Sequence, residues 1–252
     1  MKKQLTKGEI RRQQILSSAE RLFCMHGYDN TTIDMILAEL GCTKGSFYHH
    51  FTGKPHVLEE IANDRVRRSF ERYKAQNYAD NIAKLNGLLQ HASPFQMYEA
   101  DFLAVLMSLI IKKEFADIFY VVKLEGKKLF FHELIELLNA LKEEEKAYWR
   151  EEEIPSLMWE VHMGFTLNCL SNVVDSFKGD ESLENILFPQ LSASRFMWQR
   201  LLDLPFGAVY ISELSELVNI YERAFSSLNS MFPPHGLNIQ TVIKASEKDG
   251  TL

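Results

Sequence analysis

Residues 31–51 read TTIDMILAELGCTKGSFYHHF, and the order of capping, apolar and turn residues in this stretch predicts two short helices hinged at Gly41. Thr31 is placed to cap the first, with Asp34 three residues on as in a capping box, and Ile33, Ile36, Leu37 and Leu40 fall at i, i+3, i+4 and i+7 on one helical face. A glycine just past the last periodic residue takes the left-handed conformation without a Cβ penalty, so Gly41 ends this helix. Thr43 then caps a second helix over about 44–51. It turns Phe47 and Phe51 inward and leaves Lys44, Ser46, Tyr48, His49 and His50 on its other faces. These are the proportions of a helix-turn-helix, and the donors on the second helix suit a DNA groove.

The flanking sequence extends this unit on both sides. Upstream, Lys7, Arg11 and Arg12 share one face of a helix whose inward residues are Ile15, Leu16, Ala19, Leu22 and Phe23, ending near Gly27. Downstream, Lys54-Pro55 starts a fourth helix, since proline suits the first turn and the neighbouring lysine sits where a helix N-terminus meets phosphate. That helix continues through Arg65-Val66-Arg67-Arg68 to about Gln76, long enough to act as a connecting rod.

With these flanks, the segment from about 7 to 58 resembles the N-terminal domain of the TetR family of transcriptional repressors. The matching residues are Ile15-Leu16-Ser17-Ser18-Ala19, Leu22-Phe23, Gly27-Tyr28, Thr31-Thr32-Ile33, the run 41–51 and Lys54. Gly53 and Pro55 depart from the helix-favouring or acidic residues the family more often has there, so the start of the fourth helix is expected to be altered. The resemblance implies that the helix after Gly41 enters the major groove. Lys44, Gly45 and Ser46 at its N-terminus, with His49 one turn on, then face base edges, while Thr32, Tyr48 and Lys54 match phosphate-contacting positions. With the cap residue Thr43, the expected DNA-binding set is Thr32, Thr43, Lys44, Gly45, Ser46, Tyr48, His49 and Lys54. His26, His50 and His56 are assigned structural or solvent-facing roles.

Composition fits such a protein. The 252 residues are 46% hydrophobic, enough for a sizeable core. The net charge of −6 is unevenly divided: residues 1–54 carry eight Lys/Arg against five Asp/Glu, and residues 55–252 carry 20 against 29. Cys24, Cys42 and Cys169 are widely spaced and odd in number, which suggests neither a disulfide framework nor a metal site and fits a reducing cytoplasm. The basic N-terminus lacks the apolar stretch of a signal peptide, and the longest apolar run, 102–111, is too short to cross a bilayer. A soluble, cytoplasmic protein without membrane partners is expected.

The expected fold is all-α: a three-helix DNA-binding domain over 1–54, a larger helical effector-binding and dimerisation domain over 55–232, and a loosely held tail over 233–252. Helical patterns lie near 80–91, 95–113, 115–145, 156–177, 191–203 and 211–231. Breaks are expected at Ser93-Pro94, Ile154-Pro155, Lys178-Gly179-Asp180, Pro189 and Pro205. The charged run 142–153 reads as a solvated helix end or loop.

The patterns at 156–177 and 211–231 carry broad apolar stripes. Val161, Phe165, Leu170, Val173, Val174 and Phe177 mark the first, and Leu214, Leu217, Val218, Tyr221, Phe225 and Leu228 the second. The resemblance implies a homodimer joined by two such helices per subunit, bound to a palindromic operator in double-stranded DNA and released by a small molecule. Aromatic and Met residues in the middle of the chain suit a hydrophobic or amphipathic effector, with Phe102, Trp159, His162 and Met163 as candidate contacts. The competing readings are an enzyme and a helical ligand-binding or interaction module that has lost DNA binding. Against the first, Phe131-His132-Glu133-Leu134-Ile135-Glu136 has a glutamate where a His-Glu-x-x-His metal motif needs its second histidine, and no phosphate-binding or nucleophile loop occurs. No cofactor and no metal are expected. Against the second, Thr32, Lys44, Tyr48 and Lys54 are intact.

Overall fold

The computed structural model describes residues 5–114, 116–176 and 181–231. The expected tail, the break at 178–180 and Phe177 lie outside the described residues. Within them the chain is all-helical: α1 (Lys7–His26), α2 (Ile33–Leu40), α3 (Lys44–Tyr48), α4 (Lys54–Ala75), α5 (Asn81–His91), α6 (Ala100–Ile111), α7 (Ala116–Glu143), α8 (Ile154–Ser176), α9 (Leu183–Leu201) and α10 (Leu214–Met231). A short 3₁₀ turn, Met97–Glu99, leads into α6.

The first three helices enclose a small core. α1 begins with a capping box in which Thr6 Oγ1 accepts from the Glu9 N–H and the Glu9 carboxylate accepts from the Thr6 N–H. Its face Ile15, Leu16, Ala19, Leu22 and Phe23 is buried against Ile36, Leu37, Phe47 and Phe51. Gly41, at φ 58° and ψ 36°, makes the left-handed stop expected of it. The cap of α2 is a correction. Thr32, not Thr31, accepts from the Met35 N–H at 3.2 Å, because Thr31 is fully buried with its hydroxyl on the carbonyls of Gly27 and Leu22 at 2.8 and 3.1 Å. Asp34 therefore closes no capping box. α3 is also shorter than expected, ending at Tyr48, with His49 and His50 in the turn that follows.

α4 starts without a side-chain cap, from Gly53, with Pro55 in its first turn where a missing N–H costs nothing. It packs against α1, α5 and α7, so one rod belongs to both ends of the molecule. α6 is apolar on all sides and nearly every residue in it is buried, enclosed by α1, α8 and α10.

Three elements differ from their sequence patterns. α9 starts at Leu183 and runs through Pro189, where a break was expected. Proline removes one backbone donor there, and the Gln190 side-chain amide donates to the Ile186 carbonyl at 2.9 Å in the same turn. α8 takes Ile154-Pro155 as its first turn, so this break marks a start. α10 begins at Leu214, because Ile211 has φ 53°, outside the helical region, and is buried in the preceding loop.

Candidate nucleic-acid interface

Thr43 fixes the start of α3 by accepting from the Ser46 N–H at 3.4 Å, and Phe47 and Phe51 anchor its inner face. This leaves Thr32, Thr43, Lys44, Gly45, Tyr48 and His49 exposed and Ser46 half-buried on one side of the helix-turn-helix. A Cβ added at Gly45 would meet nothing closer than Thr43 Oγ1 at 3.8 Å, so the protein's own packing does not require glycine there. The absent side chain matters only for something approaching from outside. Tyr48 is 56% exposed although its ring edge lies on Phe47 at 5.4 Å, which sets its direction without covering it.

Lys44 is not free. Its ammonium lies 3.0 Å from Asp34 Oδ1 on α2, and this hydrogen bond and charge raise its pKa. The pair is exposed on both sides, so its net energy is small and it can exchange for another partner. Lys54 is held more firmly. Its Nζ donates to the Tyr28 carbonyl at 2.7 Å and sits 4.2 Å from the Tyr28 ring centroid, and partial burial lowers its pKa. Its charge thus rests at the α1–α2 loop, beside the N-terminus of α4 rather than out in solvent.

Of the basic residues on α1, Arg12 is paired with Glu60 of α4 and lies over the Phe51 ring, which removes it from the exposed basic face. His56 accepts from the Thr52 N–H at 3.2 Å and faces Glu60 at 3.9 Å, consistent with a structural role. The pKa of His50 is lowered, first by burial and then by His49 and Arg12.

The candidate effector residues separate. A cavity of about 80 Å³ lies between α4, α6, α7 and α8. Phe102 and Met163 line it. Trp159 and His162 do not: both are fully buried behind the wall. Trp159 packs across Gly126 of α7, where an added Cβ would lie 3.5 Å from its ring. His162 Nε2 is 2.9 Å from Ser93 Oγ, and burial lowers its pKa to about 4. Sequence reasoning missed the two charged residues of the cavity, Arg65 and Glu99. The run Arg65-Val66-Arg67-Arg68 marks only the continuation of a long helix, and nothing local marks Glu99 for burial. His132 and Glu136 form an exposed pair at 3.6 Å on α7, and among the described residues no three potential metal ligands gather.

A short helix behind a left-handed glycine turn, presenting its N-terminus and hydroxyl, lysine and histidine side chains to solvent, has the geometry of a helix-turn-helix. Residues 15–61 match the sequence model of the bacterial regulatory proteins of the tetR family. It is 42% identical over 69 residues to the HTH-type transcriptional regulator LmrA of Bacillus subtilis, covering 27% of this chain and 35% of the relative. It is 33% identical over 66 residues to the HTH-type transcriptional repressor AcnR of Corynebacterium diphtheriae, covering 26% and 35%. The chain thus spans about a third of the length of these curated relatives. Beyond the N-terminal domain the likeness is one of fold. GusR of Salmonella enterica superposes with a TM-score of 0.53 at 15% identity, covering 80% of this chain and all of that one. Among the described residues no helix is long and apolar enough to cross a membrane.

Proposed function

We propose that the protein is a DNA-binding transcriptional regulator that acts as a cytoplasmic homodimer on a two-fold symmetric operator, represses from it, and is released by a small molecule bound in the α4–α6–α7–α8 cavity. The observation that carries this reading is the exposed N-terminus of α3 with Lys44, Gly45 and Ser46, set on a domain of the TetR type. Lys44 exchanges Asp34 for a guanine O6 or N7, Gly45 lets the backbone approach, and Thr32, Tyr48 and Lys54 hold phosphates. The division 1–54 and 55–232 is retained as a functional one, with α4 crossing the boundary.

The sequence pattern pointed to the helix over 211–231 as half of the dimer interface. In the single chain α10 already turns Leu217, Val218, Tyr221 and Leu228 into the core against α6, which leaves that stripe little to offer a partner. The pair α8 and α9 supports dimerisation better. α9 leaves Phe188 and Phe196 57% and 61% exposed, while its Leu187, Leu191 and Trp198 face inward. α8 adds Leu157 and Gly164, and a Cβ at Gly164 would meet nothing within 4 Å, which leaves room for close helix approach. Two α8–α9 pairs then form a four-helix contact. Two recognition helices brought together in this way can read half-sites about 34–36 Å apart.

The test is titration of the purified protein with a selected duplex and with scrambled DNA at several salt concentrations. A regulator prefers the selected site. Equal affinity for both would refute the reading.

A further inference from the structure

We propose that Asp34 is a specificity-determining residue of the DNA-facing surface: with Lys44 it reads both bases of one G·C pair, its carboxylate accepting from the cytosine amino group while the Lys44 ammonium donates to guanine. The inference rests on the regulator reading and adds to it a residue that reads the opposite strand.

Three carboxylates lie between residues 29 and 51: Asp29, Asp34 and Glu39. Two of them are tied to residues outside this stretch, Asp29 to Lys112 at the end of α6 and Glu39 to Arg21 of α1. Asp34 turns instead to α3, where its Oδ1 and Oδ2 lie 3.0 and 3.3 Å from Lys44 Nζ. It does not cap α2, because Thr32 does. The Lys44 and Asp34 side chains are 66% and 68% exposed, so a duplex laid on α3 meets both. A carboxylate in that place repels phosphates and weakens every DNA complex. The loss is offset only where the DNA supplies it with a donor.

In the major groove a G·C pair presents guanine N7 and O6 as acceptors and cytosine N4 as a donor. O6 and N4 are hydrogen-bonded to each other, which places them about 2.9 Å apart. The Lys44–Asp34 pair offers the inverse order, donor beside acceptor, at 3.0 Å. When Lys44 turns from Asp34 to guanine, the carboxylate is left beside the amino group of the paired cytosine, and neither charge loses a partner. Gly45 keeps the approach open, since a Cβ there would meet nothing nearer than Thr43 Oγ1 at 3.8 Å. Guanine offers the ammonium two acceptors, whereas thymine sets a methyl group beside its one, so the lysine selects guanine. Where guanine O6 or a thymine methyl replaces the cytosine amino group, the carboxylate stays unpaired. Asp34 therefore discriminates by penalty as well as by contact.

The test uses the full-length protein and a duplex selected from random DNA. The position read by Lys44 is the one whose base preference Lys44→Ala abolishes, and it is then varied through all four pairs. Wild type, Asp34→Ala and Asp34→Asn are titrated by fluorescence anisotropy against these duplexes and against scrambled DNA. The wild type should prefer G·C at that position. Asp34→Ala should lower this preference about tenfold while binding scrambled DNA severalfold more tightly. Asp34→Asn keeps the shape and adds a donor, so it should admit pairs that place an acceptor where the cytosine amino group stood. An A·T preference in the wild type, a preference unchanged in both variants, or an equal change on every duplex would overturn the assignment, the last showing that Asp34 only repels phosphate. These outcomes leave the regulator reading intact. A wild type that selects no site removes the regulator reading and this one with it.

Discussion

Lys44 and Asp34 are partners on the proposed DNA-facing surface, 3.0 Å apart and exposed. If Lys44 reads a base, Lys44→Ala weakens the preferred operator by about 1–3 kcal/mol and leaves other sequences nearly unchanged. Competition titrations check this, and equal losses on every duplex would show a phosphate role instead. Lys54 behaves differently because its ammonium also ties down the Tyr28 carbonyl. Lys54→Ala should weaken all duplexes alike, flatten the salt dependence, and cost about 1 kcal/mol of stability, seen as a lower Tm. A third residue gives a pH signature. His162 is buried and neutral with its pKa lowered to about 4, whereas an unfolded histidine titrates near 6.5. The unfolded chain therefore takes up a proton first as the pH falls. The stability that His162 contributes is full above about 6.5 and is lost between there and about 4, by up to about 3 kcal/mol. Denaturant titrations of His162→Gln should show a flatter pH dependence in that window. At this scale the sequence is legible where chemistry is local, as with Gly41, Thr43, Phe47 and Phe51. It is ambiguous where two residues of one type stand together: Thr31 and Thr32 are equivalent caps on paper, and burial decides between them.

Among the elements, α9 and α10 show how far periodicity reaches. The stripe on α10 is the stronger apolar face, and the fold buries it against α6 for that reason. A second apolar face, such as Phe188 and Phe196 on α9, does not stand out as periodicity, because Leu187, Leu191 and Trp198 already mark the core side. Pro189 further hid α9 by imitating a break. If the proposed α8–α9 dimer forms, Phe196→Glu should convert it to a monomer while circular dichroism stays unchanged, since the ring is exposed in the single chain. Leu217→Ala, which empties a fully buried site on α10, should cost about 2–5 kcal/mol of stability and leave subunit association intact. Sedimentation equilibrium and thermal melts distinguish these outcomes, and a monomer produced by Leu217→Ala with normal stability would return the interface to α10.

For the whole molecule, specific polar contacts join the larger helical part to the helix-turn-helix end. Arg65 joins Glu99 to Glu20 of α1, Lys112 at the end of α6 pairs with Asp29 in the α1–α2 loop, and Asn30 of that loop reaches the last carbonyl of α10, Met231 O, at 3.4 Å. A ligand acts through such contacts only by its differential affinity for the operator-competent arrangement. None of these pairings is periodic or local, which is why the all-helical class and the recognition helix could be read from sequence and the cavity's charged wall could not. The central claim is that two α3 helices read DNA as a symmetric pair. Its most direct test is selection of random duplex DNA on the purified protein. The account predicts enrichment of a palindrome with half-sites about one helical turn apart or a multiple of it, lost in Lys44→Ala. No enrichment at low salt, where even modest phosphate contacts retain DNA, would contradict it.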